Sequence, residues 1–169
     1  RLFVGVGSRG DSLHHHYGDV LALKGRARLA HEPLLQVTAP GAGFLRALVY
    51  DKYGGQGWQI SVKNEQPLAG PVEAVAEAGT AATRLEVRVP VTVEITLLER
   101  VGDRLLFSAG DPLSADRDSN RLIGTPPADV VSLQPNERLK SGDSYTTVGT
   151  VSAAAIDRLV AAPATYPEW

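Results

Sequence analysis

The chain contains no cysteine and no methionine. Without cysteine there is no disulfide, no thiolate zinc site and no cysteine nucleophile, so three common chemistries are excluded together. A natural chain begins with Met, so a sequence running from Arg1 to Trp169 is expected to be a piece of something longer. No stretch approaches the roughly 18 consecutive apolar residues that cross a bilayer, and the N-terminus lacks the charged-then-apolar layout of a signal peptide. A surplus of positive charge is also missing: the formal charge is -2, the pI is near 6.1 and the two signs are interspersed. That balance argues against a nucleic-acid binder, which would normally show a basic patch able to displace counterions from phosphates, and a nucleic-acid partner is not expected. No internal repeat is found.

What is present suits one domain of ordinary size. The 169 residues are 43% hydrophobic and 21% charged, enough to build a core without staples. From Arg84 to Leu97 apolar residues at odd positions alternate with polar ones, the period-two pattern of a half-buried strand. Pro90 interrupts that run and cannot donate to a ladder, so a bend is expected there. Gly102 suggests a hairpin joining this strand to residues 104–108. Leu34 to Ala39 and Phe44 to Tyr50 flank a Pro-Gly loop as a second strand-loop-strand unit, with the latter run expected to be a central strand. Val130 to Leu133 and Tyr145 to Val151 are further strands, separated by a turn at Ser141, Gly142 and Asp143. Helical spacing occurs from Ala153 to Ala161, with Ser152 as N-cap and Pro163 as stop. Residues 64–83, rich in Ala, Gly, Pro and Glu, read as a flexible insert. The expected fold is mainly β, a sandwich or distorted barrel of short antiparallel strands with one short C-terminal helix. Residues 1–151 would form the β-rich domain and 152–169 a helix and linker.

Few residues carry a pattern that points to chemistry. His14, His15 and His16 are adjacent, and neighbouring side chains point different ways, so they seldom share one ion. His31 stands alone beside Glu32 and Pro33. Asp111, Asp116, Asp118 and Asn120 supply oxygen ligands after Gly110, but not at the spacing of an EF-hand loop, so a solvated acidic loop is favoured over a calcium site. The tripeptide Arg9-Gly10-Asp11 recurs by chance in many chains. No G-x-S-x-G elbow supports a serine nucleophile, and Lys24-Gly25 lacks a Walker spacing. No catalytic residue, metal ligand or cofactor is assigned.

The richest local pattern is Leu45-Arg46-Ala47-Leu48-Val49-Tyr50-Asp51-Lys52-Tyr53-Gly54-Gly55-Gln56-Gly57-Trp58. Gly54, Gly55 and Gly57 can take conformations closed to other residues, which lets Tyr53 and Trp58 fold back on a sheet. Arg46 is expected to stack on these aromatics or to pair with Asp51. The first reading is an aromatic-capped hairpin corner. The alternative is a platform of Tyr50, Tyr53 and Trp58 for peptide or glycan.

FLRALVYDKYGGQGW resembles a stretch of bacterial membrane-anchored transglutaminase-like proteins, where it lies between the N-terminal membrane helices and the papain-like catalytic domain. RLLFSAGDP, GDSYTTVGTVSAAAIDRL and YPEW resemble further segments of that family in the same order, as does LALKGRARLAHEPLLQV near the start. The insert at 64–83 has no counterpart in the resemblance. In that family the Cys, His and Asp of the triad follow the Tyr-Pro-x-Trp stretch, so none transfers to a position here. The resemblance implies a non-catalytic accessory domain or spacer on the extracytoplasmic side of a bacterial membrane. It would be anchored through flanking helices, with the transglutaminase-like catalytic domain of the same parent chain as its partner.

Overall fold

The computed structural model describes residues 2–4, 20–22, 33–41, 43–60, 64–68, 88–99, 104–124 and 130–162. In chain order these form β1 (Leu2–Val4), β2 (Val20–Ala22), β3 (Leu35–Thr38), β4 (Leu45–Arg46), β5 (Lys52–Tyr53), β6 (Gly57–Gln59) and β7 (Asn64–Pro67). There follow β8 (Arg88–Leu97), β9 (Ser108–Ala109), β10 (Asp111–Ala115), β11 (Ser119–Ile123), β12 (Val130–Pro135), β13 (Ser144–Ser152) and a helix, α1 (Ile156–Val160). The expected mainly β architecture is found, as several small antiparallel sheets and without a closed barrel among the described residues.

The largest sheet has the order β1-β3-β8-β13-β10. Its spine is the β8–β13 ladder, which runs from Ser144 opposite Thr96 to Ser152 opposite Arg88. Opposed residues share a face, so Val93 with Thr147 and Ile95 with Tyr145 point inward together, joined by Leu35 and Val37 of β3. Those six side chains are buried, and Leu106, Phe107, Leu133 and Leu139 pack over them to complete the core. The covering layer is fastened by the sheet's own polar groups. The Tyr145 hydroxyl accepts from the Phe107 N–H at 2.9 Å, and the Thr147 hydroxyl donates to the Phe107 carbonyl at 2.9 Å. Both backbone groups of Phe107 are thereby satisfied inside an apolar core, where leaving either unpaired would cost about 1–3 kcal/mol. At the far end of β8, the turn at 140–143 locks on: the Gly142 and Leu97 backbones exchange bonds with the Leu97 carbonyl and the Asp143 carbonyl at 2.7 and 2.9 Å.

Gly110 is where the chain changes sheets. β9 pairs with β4, whereas β10, one residue later, pairs with β13. The crossing brings backbone against backbone: a Cβ on Gly149 would lie 2.0 Å from the Ala109 carbonyl oxygen, and one on Gly110 would lie 2.1 Å from that of Thr150. Gly110 also has φ +66, so it meets both demands that only glycine meets without strain.

Several sequence expectations are corrected. β8 runs through Pro90 as one strand with unbroken pairing to β13 and not as two separate strands, because β3 pairs only with residues 94–97 and leaves an open flank beside Pro90 among the described residues, where a missing donor costs nothing. Residues 104–109 do not return along β8: Leu106 bridges to Leu133 and Ala109 pairs with Leu45. β3 and β4 do not pair with each other, and Phe44 to Tyr50 is no central strand, since only Leu45 and Arg46 are laddered and Phe44 is 96% exposed. The 64–83 stretch begins as a strand, β7, paired with β11; the remainder from 69 lies outside the described residues. The helix is shorter than its spacing predicts, and Ser152 does not cap it, because Ser152 is still laddered to Arg88 in β13.

Candidate functional site

The glycine-rich segment folds as a two-stranded hairpin, β5 to β6, extended by β2 on its other side. Lys52 pairs with Gln59 and Tyr53 with Trp58, and the Gly54 N–H donates to the Gly57 carbonyl at 2.8 Å to close the turn. Of the three turn glycines only Gly55 has a positive φ, at 80°; Gly57 is a buried strand residue opposite Ala22. The demand for glycine is therefore conformational at one position, not three.

Because Tyr53 and Trp58 are directly opposed, their rings lie on one face, with centroids 5.4 Å apart and planes tilted by 52°. They are 54% and 40% exposed, and the Tyr53 hydroxyl donates to the Gly55 carbonyl at 3.0 Å, which fixes the ring over the turn. The pair forms an open wedge, with aromatic surface available to a planar or apolar group. Tyr50 is half-buried, and the Asp51 N–H donates to the Gln59 carbonyl at 3.1 Å, adding one rung to the hairpin ladder.

Arg46 sits in β4, where its guanidinium bonds Asp111 and the Val130 carbonyl. Arg88, from the start of β8, binds the other carboxylate oxygen of Asp111. One carboxylate thus ties β4, β8 and β10 together, with the three side chains 19–27% exposed. Both Asp111 carboxylate oxygens are engaged by arginines, and among the described residues no group of three or more His, Cys, Asp or Glu is placed to hold a metal ion. Asp116 and Asp118 carry the chain from β10 to β11; the Asp116 N–H donates to the Thr146 carbonyl at 3.0 Å, and the Asp118 carbonyl accepts from Asn136 at 2.9 Å. What reads as an acidic loop is two strands and a connector. The Arg46–Asp111 pair spans 65 positions, and nothing in the sequence near either residue announces the other.

Sequence reasoning also missed a polar recess of about 400 Å³, lined by Glu65, Arg104, Asn120, Gln134, Asn136 and Arg138. Asn120 Nδ2 donates to Glu65 Oε1 at 2.7 Å there. These side chains come from β7, β11, the end of β12 and two loops, so only the sheet pairing brings them together. The recess offers hydrogen-bonding groups and no nucleophile. His14, His15, His16, His31, Lys24 and Arg9 to Asp11 lie outside the described residues, and no helix among those residues is long and apolar enough to cross a membrane.

A comparison with protein families gives a match over residues 3–154 to the TgpA N-terminal domain. The chain belongs to that family. TgpA is a transglutaminase-like protein, and the matched region is its N-terminal domain and not its catalytic one. The family resemblance is thereby established over residues 3–154, which include the glycine-aromatic corner, and the absence of cysteine is compatible with a non-catalytic piece of the protein. No curated protein and no solved structure is significantly similar to the chain.

Proposed function

We propose that this chain is a non-catalytic accessory domain of a transglutaminase-like protein, a spacer that holds the catalytic domain on the extracytoplasmic side of the membrane. The observation that carries the reading is the family match over residues 3–154, which covers nearly the whole β-rich body and stops just beyond the last strand, β13. A β body tied by long-range ladders, with its last strand leading straight into the following segment, suits a rigid support. In the parent chain, deleting residues 1–154 is expected to lower the unfolding temperature or the activity of the catalytic domain and to change its distance from the membrane. Protease added to intact spheroplasts is expected to cleave the domain. A catalytic domain indifferent to the deletion, or a domain protected in spheroplasts, refutes the proposal.

A second reading is a peptide- or glycan-binding module, favoured by the exposed Tyr53–Trp58 wedge. Titration with soluble cell-wall glycopeptides or short peptides would quench or shift the Trp58 emission, and Trp58→Ala would remove the response. An unchanged spectrum at millimolar ligand eliminates this reading.

A further inference from the structure

The inward-facing stripe of β8 is longer than the layer that covers it. Val93, Ile95 and Leu97 are 1%, 0% and 0% exposed beneath the core, but Val91 is only half-buried and Val89 is 45% exposed. Their opposite numbers on β13 follow the same gradient, from buried Tyr145 and Thr147 to half-buried Val151. The cover ends at Ala109, which rests on Gly149; beyond it, among the described residues, the groove is walled by Thr38, Pro40, Gly43, Phe44 and Leu45. The result is an apolar groove of about 350 Å³, bounded by Val37, Val91, Val93, Ala109, Val151 and Phe44. Phe44 stands at its mouth 96% exposed. A single exposed apolar residue is ordinary, but a core face that runs uncovered into a groove beside a bare phenylalanine is the pattern of a surface made to be covered.

We propose that this groove is the seat of the domain that follows in the parent chain, which would insert apolar side chains between Phe44 and the Val89–Val151 end of the sheet. The inference rests on the accessory-domain reading and assigns its contact surface. Its location argues for that occupant. One wall is β13, whose Val151 lines the groove one residue before the strand ends at Ser152, and the family match ends at 154. The chain therefore leaves this domain from the groove's own wall. It leaves through α1, which has no buried residue and presents Ile156, Leu159 and Val160 at 78%, 61% and 81% exposure. Two uncovered apolar surfaces thus flank the family boundary within about ten residues of chain. A covalently attached partner meets them at an effective concentration on the order of millimolar, an advantage that a free partner lacks. The whole-chain formal charge of -2 gives no net attraction of the chain to an anionic bilayer instead.

The test compares hydrogen exchange in this chain and in the parent chain carrying the catalytic domain, over residues 37–45, 89–93 and 149–153. At least ten-fold slower exchange is expected in the longer chain, lost on Phe44→Asp, a change at a position that contributes nothing to the core. Equal exchange in both chains, or protection unaffected by Phe44→Asp, overturns the proposal. So does protection that grows with the concentration of the 169-residue chain, which identifies a second copy, or that appears only with phosphatidylglycerol-containing vesicles, which identifies lipid. Deletion of residues 1–154 separates the two readings. If it destabilises the catalytic domain while Phe44→Asp leaves exchange and stability unchanged, the accessory role stands and the groove assignment falls. If the deletion has no effect, both fall.

Discussion

Replacing Gly149 by alanine adds one methyl group where, among the described glycines, a Cβ meets the shortest contact. The new Cβ would lie 2.0 Å from the Ala109 carbonyl oxygen and 2.9 Å from its carbon, so the two backbones must separate by at least about 1 Å. Overpacking against side chains costs about 1–3 kcal/mol because rotamers can give way. Here nothing can rotate. β9 is held by the β4 ladder, by the burial of Ala109 and by the two bonds from Tyr145 and Thr147 to Phe107, while β13 is held by β8. The expected loss is therefore about 3–5 kcal/mol, a large part of the ~5–15 kcal/mol typical of a domain. In thermal unfolding followed by far-ultraviolet circular dichroism, that corresponds to a fall of roughly 6–20 °C at this chain length. Two controls separate contact from conformation. Gly142→Ala meets open space but has φ +90, and is expected to cost about 1–2 kcal/mol. Gly43→Ala meets no atom within 4 Å and has no positive φ, and is expected to change stability by less than about 0.5 kcal/mol. A Gly149→Ala protein no less stable than Gly142→Ala would refute the crossing and the fold around it.

Asp111→Asn leaves Arg46 and Arg88 converging on a neutral group; given the partial exposure of all three, urea unfolding is expected to show a loss of about 1–2 kcal/mol. That loss should shrink in 1 M salt, where the Debye length falls to about 3 Å, and a loss independent of salt would mean packing and not charge. Tyr145→Phe removes the acceptor for the buried Phe107 N–H and is expected to cost about 1–3 kcal/mol, with faster amide exchange at Phe107; unchanged exchange there would show that the hydroxyl is not the partner. Trp58→Ala, on an exposed hairpin outside the core, should leave the unfolding free energy within about 1 kcal/mol of that of the unchanged chain, and a larger fall would make the wedge part of the fold.

Strands whose two faces differ were legible in the sequence. The alternation ending at Leu97 became the center of the main sheet, and Val130 to Leu133 and Tyr145 to Val151 fall within β12 and β13. Pairing was not legible, because partners are chosen by non-local geometry: Leu45 finds Ala109, and Asn64 finds Ile123. β10 and β11 escaped notice because polar residues in them pair with distant groups, as Asp111 does with two arginines and Asn120 with Glu65, so their sequence looks like a solvated loop. Of the candidate site, the hairpin and its aromatic pair followed from local spacing. Arg46 was singled out from its sequence neighbours, and its bonds to Asp111 and to the Val130 carbonyl reach residues 65 and 84 positions away, which no local pattern could announce.

The position of β13 has a mechanical consequence. It is flanked by β8 along its full length and by β10 at residues 147–150, both antiparallel to it, and the polypeptide leaves the sheet at Ser152. Inter-strand bonds run perpendicular to the strand axis. A pull on the departing segment along that axis would load many of them together in shear and not unzip them one at a time, so a tethered load in that direction would strain the attachment before it opened the domain.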